Sequence, residues 1–244
     1  MPWQGAHVAE RPYTVLSCAV SLDGCLDDTT DRRLILSNEA DLDRVDAVRA
    51  GCDAILVGAG TVRADDPRLA VRDVDRRARR VAQGRPPTPR KVTLTRHSTL
   101  EPHAAIFAGS DGDPLVYCAT PAVAATRERL GDAATVVDAG ASPRVGWVSE
   151  DLGARGVRRL MVEGGQQVLT QFLEAGVADE LQLVVAPMVV GDPKAPRLSA
   201  DLRMPSGPRP QALLAEVRRI QDVVLLRYAL SVRFEQDDQG GTTR

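Results

Sequence analysis

The chain is poor in aromatics, with two Trp, three Tyr and three Phe among 244 residues. Stacking platforms for bases and aromatic cages for sugars or cations are therefore poorly supplied, and the core has to be built mainly from Val, Leu and Ala. An excess of either charge is also lacking: 31 Lys and Arg face 33 Asp and Glu, a formal net charge of −2. That excludes a nucleic-acid footprint carried by bulk charge. The longest uninterrupted apolar stretch, Leu183 to Val190, has eight residues with Pro187 inside it, whereas a membrane-crossing helix needs about 20. Met1 to Arg11 contains no apolar run of the kind that marks a secretory signal. A cytoplasmic protein with no membrane partner is the expectation. The three histidines, His7, His97 and His103, fall in the tail and in loops, so a Ser-His-Asp hydrolase has no support. Cys18, Cys25, Cys52 and Cys118 are 7, 27 and 66 positions apart. Without a paired C-x-x-C a structural zinc site is not expected, and Cys18 and Cys52 read as buried, reduced side chains.

What remains is the composition of an ordinary folded protein, 43% hydrophobic and 26% charged. Tyr13 to Val20 is rich in β-formers and closed by Asp23-Gly24, a strand and turn. Ser37 and Asn38 can cap a helix with Glu39 and Asp41 in its first turn, Leu42, Val45 and Val48 at helical spacing, and Gly51 as its stop. Ala54 to Val57 is a fully apolar strand. Residues 65 to 90, with the basic run Arg76 to Arg80 and the Pro-rich Arg85 to Pro89, read as a loop with at most a few turns of structure, its basic run a solvated excursion or a grip on a phosphate. Strands at Lys91 to Thr95, Leu115 to Cys118, Thr135 to Asp138 and Arg159 to Glu163 then alternate with helices at Ala122 to Leu130, around Ser149 to Ala154, and at Gln166 to Ala175. Such alternation predicts an α/β protein with a largely parallel sheet. Glu180 to Ala186, Ala212 to Arg218 and Val223 to Leu230 read as strands with no comparable helix between them, antiparallel additions at one edge. One domain over residues 11–234 is expected, between a flexible tail at 1–10 and a disordered one at 235–244.

Two segments carry the chemistry. Gly58 to Leu69 (GAGTVRADDPRL) follows a buried strand, where a glycine turn lets backbone N–H groups approach a nucleotide. It is not the dinucleotide fingerprint G-x-G-x-x-G, because position 63 is Arg63. Glu163-Gly164-Gly165 also follows a strand and opens a helix at Gln166, a place suited to a pyrophosphate. Glu163 then faces the same crevice. Ser21-Leu22-Asp23-Gly24 brings a hydroxyl and a carboxylate to the sheet edge, although Asp-Gly is also ordinary turn chemistry.

SLDG at 21–24, Arg49 followed twelve positions later by Thr61 within GTVRADDPRL, EGG at 163–165 and DELQLVVAPMVVGDPKAP at 179–196 together resemble the pyrimidine reductase family of riboflavin biosynthesis. The resemblance runs from about Arg11 to Leu230 and is closer to the free-standing type. The deaminase signature H-x-E with a following P-C-x-x-C does not occur. The resemblance implies a dihydrofolate-reductase-like fold, in which a central mixed, mostly parallel sheet has flanking helices and antiparallel C-terminal edge strands. It also implies a homodimer, NADPH as hydride donor, and reduction of C1′ of a phosphoribosylaminopyrimidine to the ribityl form. Carried over by position, the cofactor meets Val20, Gly58, Thr61, Val62, Asp65, Gly164, Gly165 and Gln166. The phosphorylated pyrimidine meets Ser37, Arg49, Leu69, Arg72 and Glu163. Glu163 and Asp65 stand as the catalytic candidates. Arg49 and Arg72 suit a phosphate, and Glu163 suits a pyrimidine's N–H groups. Arg96, after the strand Lys91 to Thr95, is the candidate for a 2′-phosphate. Ser17 stands where bacterial bifunctional members carry a lysine that can act as proton donor. That departure keeps open a dihydrofolate, pterin or specialised pyrimidine reductase. A non-catalytic nucleotide-binding regulatory protein is the alternative of another class.

Overall fold

Every residue of AILVG at 54–58 is buried, and a strand covered on both faces belongs inside a parallel sheet. The computed structural model describes residues 11–30, 34–109, 113–198 and 212–234, and the two expected tails lie outside these. The strands are β1 (Tyr13–Val20), β2 (Ala54–Gly58), β3 (Arg90–Thr95), β4 (Leu115–Cys118), β5 (Thr135–Asp138), β6 (Arg159–Gly164), β7 (Glu180–Val185), β8 (Leu213–Ile220) and β9 (Val223–Ala229). They form one sheet in the order β5-β4-β3-β2-β6-β1-β7-β9-β8. All pairs from β5 to β7 are parallel, and β9 and β8 add antiparallel at the far edge.

The helices are α1 (Glu39–Gly51), α2 (Ala59–Asp65), α3 (Val74–Ala82), α4 (Val123–Leu130), α5 (Val145–Ala154) and α6 (Gln166–Glu174). Alternate residues of each strand point to opposite faces, which divides the core in two. Leu56, Leu160 and Tyr117 pack with Val148, Leu152, Leu169 and Phe172 of α5 and α6. Ile55, Met161 and Val116 pack with Val62, Val123 and Leu130, and with Val45 and Val48 of α1. Helices therefore cover both faces, and the open C-terminal ends of the parallel strands are where such a sheet holds ligands.

Within the segment 65–90 the few turns of structure that the sequence allows are the helix Val74–Ala82. Asp73 caps it, its carboxylate accepting from the Arg76 N–H at 2.7 Å. The basic run is not free to grip a phosphate as a unit. Arg76 pairs with Asp43 and Asp46. Arg80 is 3% exposed and donates to the carbonyls of Ala50, Cys52 and Pro86. The expected glycine turn after β2 is instead α2, which starts directly at Ala59. Smaller differences lie at ends: Asn38 rather than Ser37 caps α1, accepting from the Asp41 N–H at 2.9 Å, and α5 starts at Val145.

Candidate functional site

Gly58 ends β2 and Gly164-Gly165 end β6, and the parallel pairing of these strands sets the two segments side by side. A methyl group on Gly58 would sit 2.9 Å from Cγ2 of Val168 and 3.9 Å from the Gly165 nitrogen. One on Gly165 would sit 2.8 Å from the Thr61 hydroxyl oxygen. The start of α2 and the start of α6 thus meet with no room for side chains. Gly164 has φ 115°, a conformation open to glycine, and the Gly164–Gly165 peptide is cis. Gly165 caps α6 with no side-chain bond, so the first N–H groups of that helix, at Gln166 and Gln167, precede the bonded ones of Val168 and Leu169.

Around this junction runs a cleft of about 1580 Å³. It collects Ser37, Arg49, Gly58, Thr61, Asp65, Leu69, Arg72, Arg96, Glu163, Gly164, Gly165 and Gln166 from six different parts of the chain. Val20 and Val62 do not line it. Both are buried, and Val62 packs in the core beneath α2, which leaves a backbone contact as the way either would meet a cofactor. His97, outside every motif, does line the cleft next to Arg96, and so do Ser17, Cys18, Asp41 and Arg44. The Cys18 thiol is pushed up to about 12 by burial, which disfavours its thiolate.

The electrostatic centre is Glu163. Its Oε1 accepts from Arg49 Nε at 2.7 Å and its Oε2 from Nη2 at 2.6 Å, while Arg49 Nη1 donates to the Ala70 carbonyl at 3.2 Å. Burial works against the Arg49 charge, but the pairing with Glu163 outweighs it and raises the guanidinium above its ordinary value. The fork expected to hold a phosphate is therefore occupied by Glu163. Arg72 is the more open cation, with 58% of its side chain exposed.

SLDG does bring its hydroxyl and carboxylate together, but they bond to each other. Asp23 accepts from the Ser21 hydroxyl at 2.6 Å and from the N–H groups of Val190 and Gly191. These three bonds hold its carboxyl well below the usual range. Leu22 N–H donates to the Met188 carbonyl, and Leu26 N–H to that of Pro196. The motif staples two loops beside the cleft.

An open α/β sheet with a glycine-lined crevice at its strand ends is the architecture of a nucleotide-binding protein. The family model described as RibD C-terminal domain matches residues 12–226. Two relatives carry the name 2,5-diamino-6-ribosylamino-4(3H)-pyrimidinone 5′-phosphate reductase. That from Archaeoglobus fulgidus is 34% identical over 187 residues, covering 76% of this chain and 85% of the relative. That from Methanothermobacter thermautotrophicus is 38% identical over 184 residues, covering 74% and 80%. Among solved structures, a Thermotoga maritima diaminohydroxyphosphoribosylaminopyrimidine deaminase/5-amino-6-(5-phosphoribosylamino)uracil reductase matches with a TM-score of 0.72 at 23% identity. The match covers 91% of this chain and 57% of that one, a likeness of fold. The chain belongs to the RibD C-terminal domain family, the pyrimidine reductases of riboflavin biosynthesis. Membership implies a nicotinamide cofactor. No helix of the described residues is long and apolar enough to cross a membrane.

Proposed function

We propose that the chain uses NADPH to reduce C1′ of a phosphoribosylaminopyrimidine, giving the ribityl chain, and that the 2,5-diamino form named in the two relatives is its substrate. The observation that carries this reading is the close approach of Gly58, Thr61 and Gly165 within a few side chains of a Glu163 held by two bonds from Arg49. The first two N–H groups of α6 and the Thr61 hydroxyl suit the diphosphate of a dinucleotide. The exposed Arg96, on the same cleft, suits the 2′-phosphate that separates NADPH from NADH.

The bound cofactor supplies the hydride. The chain's own residues supply position. Glu163, oriented by its two bonds from Arg49, accepts from the amino and ring N–H groups of the pyrimidine, with Arg49 acting through it. Leu69 walls the cleft, and Arg72 is placed to meet the substrate phosphate. As C1′ gains hydride its bond to the ring oxygen breaks, and that oxygen takes a proton. Orientation of this kind is worth up to about 7–11 kcal/mol of barrier in favourable cases.

We also propose a homodimer through β8. This edge strand leaves Leu213, Leu214 and Val217 at 67%, 55% and 60% exposure, and among the described residues its outer backbone row has no strand beside it. A second copy pairing there would cover both.

The test is NADPH oxidation by the purified chain, followed in absorbance, with the diamino pyrimidine phosphate, its deaminated form and dihydrofolate in parallel. Turnover of the diamino compound above the others is expected. Turnover of dihydrofolate alone, or of none, overturns the reading.

A further inference from the structure

Asp41 and Arg44 lie in the first turns of α1 and line the cleft beside Ser17 and Cys18 of β1. Asp41 is 1% exposed, and its two oxygens differ. Oδ1 accepts from Arg44 Nε at 2.7 Å, whereas Oδ2 is buried with no partner among the described residues. An unpaired buried carboxylate oxygen is costly, and a helix N-terminus alone does not explain one at the wall of a cleft.

The partner cation is held on its other side. Arg44 Nη1 donates to Gln182 Oε1 at 2.5 Å, and Gln182 Nε2 donates to Glu180 Oε1 at 2.8 Å. Glu180 is fully buried and is fixed by Arg227 Nε at 2.8 Å and the Tyr13 hydroxyl at 3.0 Å. Gln182 also stands beside Ser17 in the β1–β7 register. This brace sets the guanidinium rigidly, with Nη2 making no bond among the described residues.

A guanidinium bonded to a carboxylate is nearly neutral as a pair, so it offers little to a phosphate. One free acceptor next to one free donor suits neighbouring hydroxyls instead, because each hydroxyl can donate and accept. Ser37, a turn earlier on the same wall, adds another hydroxyl partner. We propose that Asp41 and Arg44 read the sugar, Asp41 Oδ2 accepting from one hydroxyl of a vicinal pair on the ribosyl group and Arg44 Nη2 donating to the other. The proposal rests on the reading of the substrate as a ribosyl pyrimidine and assigns which end of the cleft takes the sugar. Glu163 takes the base. A site that bonds a hydroxyl in a water-poor setting rejects the analogue lacking it far more strongly than an apolar pocket would.

The test uses the full chain saturated with NADPH. Binding of ribose 5-phosphate and of 2-deoxyribose 5-phosphate is measured by calorimetry. Turnover of the ribosyl pyrimidine phosphate is compared with that of its 2′-deoxy counterpart. The wild-type chain is expected to favour the ribose forms by about tenfold or more, the scale of one charge-assisted bond. Asp41→Asn, which keeps the shape, and Arg44→Lys are expected to shrink that preference to about twofold, with NADPH affinity and melting temperature retained. Equal binding of ribose and deoxyribose forms by the wild-type chain overturns the proposal whether or not the variants fold. So does a preference that survives in both variants. Failure of the broader reading looks different: ribose 5-phosphate is still preferred while no pyrimidine is reduced.

Discussion

The Arg49 guanidinium grips the Glu163 carboxylate through bonds of 2.7 and 2.6 Å, tying α1 to the end of β6 across the cleft floor. Both side chains are mostly covered, at 18% and 14% exposure. Such a pair holds the carboxylate oriented before any substrate arrives. Glu163→Gln keeps the shape but loses the charge. Its kcat/KM is expected to fall at least about tenfold, a loss near 1.4 kcal/mol, with an unchanged circular dichroism spectrum. Wild-type kinetics in this variant would remove Glu163 from the site.

Gly165 tests the cofactor side. A methyl there would meet the Thr61 hydroxyl at 2.8 Å, so the start of α2 or the 164–166 turn must shift. The NADPH dissociation constant of Gly165→Ala is expected to rise by about tenfold or more, since small misplacements at a site of this kind are costly. Fluorescence titration would read it, and unchanged affinity would place the cofactor elsewhere.

Arg96 decides between the two nicotinamide cofactors. Arg96→Ala is expected to reduce the preference for NADPH over NADH by about tenfold, the value of a charge-assisted phosphate contact. Steady-state kinetics with both cofactors would show it, and an unchanged ratio ends that assignment.

The acid side of the stability profile belongs in part to Asp23 and Asp179. Asp179 is covered, which pushes its carboxyl up, but bonds from Arg11, Ser231 and the Thr14 N–H bring it below its ordinary value. Asp23 is lowered by Ser21, Gly191 and Val190. A carboxylate depressed in the fold stabilises it above the unfolded value of about 4 and loses that contribution as pH falls through the folded one. Melting temperature is therefore expected to fall steeply below about pH 4. Asp23→Asn should be less stable at neutral pH and show a shallower fall. A parallel shift of the whole curve would contradict the role of Asp23.

The exposed edge gives the last expectation. Val217→Lys on β8 is expected to move sedimentation from dimer to monomer, because edge lysines block strand pairing. A monomeric wild-type chain would leave the strand unpartnered.

The strands were the legible part of this chain, since AILV at 54–57 and YTVLSCAV at 13–20 are short, apolar and closed by turn residues. The EGG corner and Arg49 were legible too, each placed by the element it ends or rides on. Helix α2 was not, because Gly60 argues for a turn; it is helical because Val62 finds a core position directly beyond β2. Helix α3 showed only as a few possible turns, for another reason. Its run VDRRARRVA has few apolar residues, and it is held by the Asp73 cap, by Asp46 and by carbonyls around Arg80, contacts between residues far apart in sequence. Asp41 reads in sequence as a first-turn acid favoured by the helix dipole. Only the fold shows one of its oxygens left over.

Arg80 closes the end of α1 by bonding the carbonyls of Ala50 and Cys52, and Asp46 in that same helix accepts from the backbone N–H groups of Arg72 and Asp73. The stretch between β2 and β3 is thus docked onto α1 at two points, and Leu69 and Arg72 travel with it. Residues 66–89 form a cassette whose sockets are Asp46 and the Ala50 and Cys52 carbonyls at the end of α1. Swapping this cassette for a relative's would re-cut one wall of the cleft in a single step, provided the incoming segment brings its own buried arginine to the same two carbonyls.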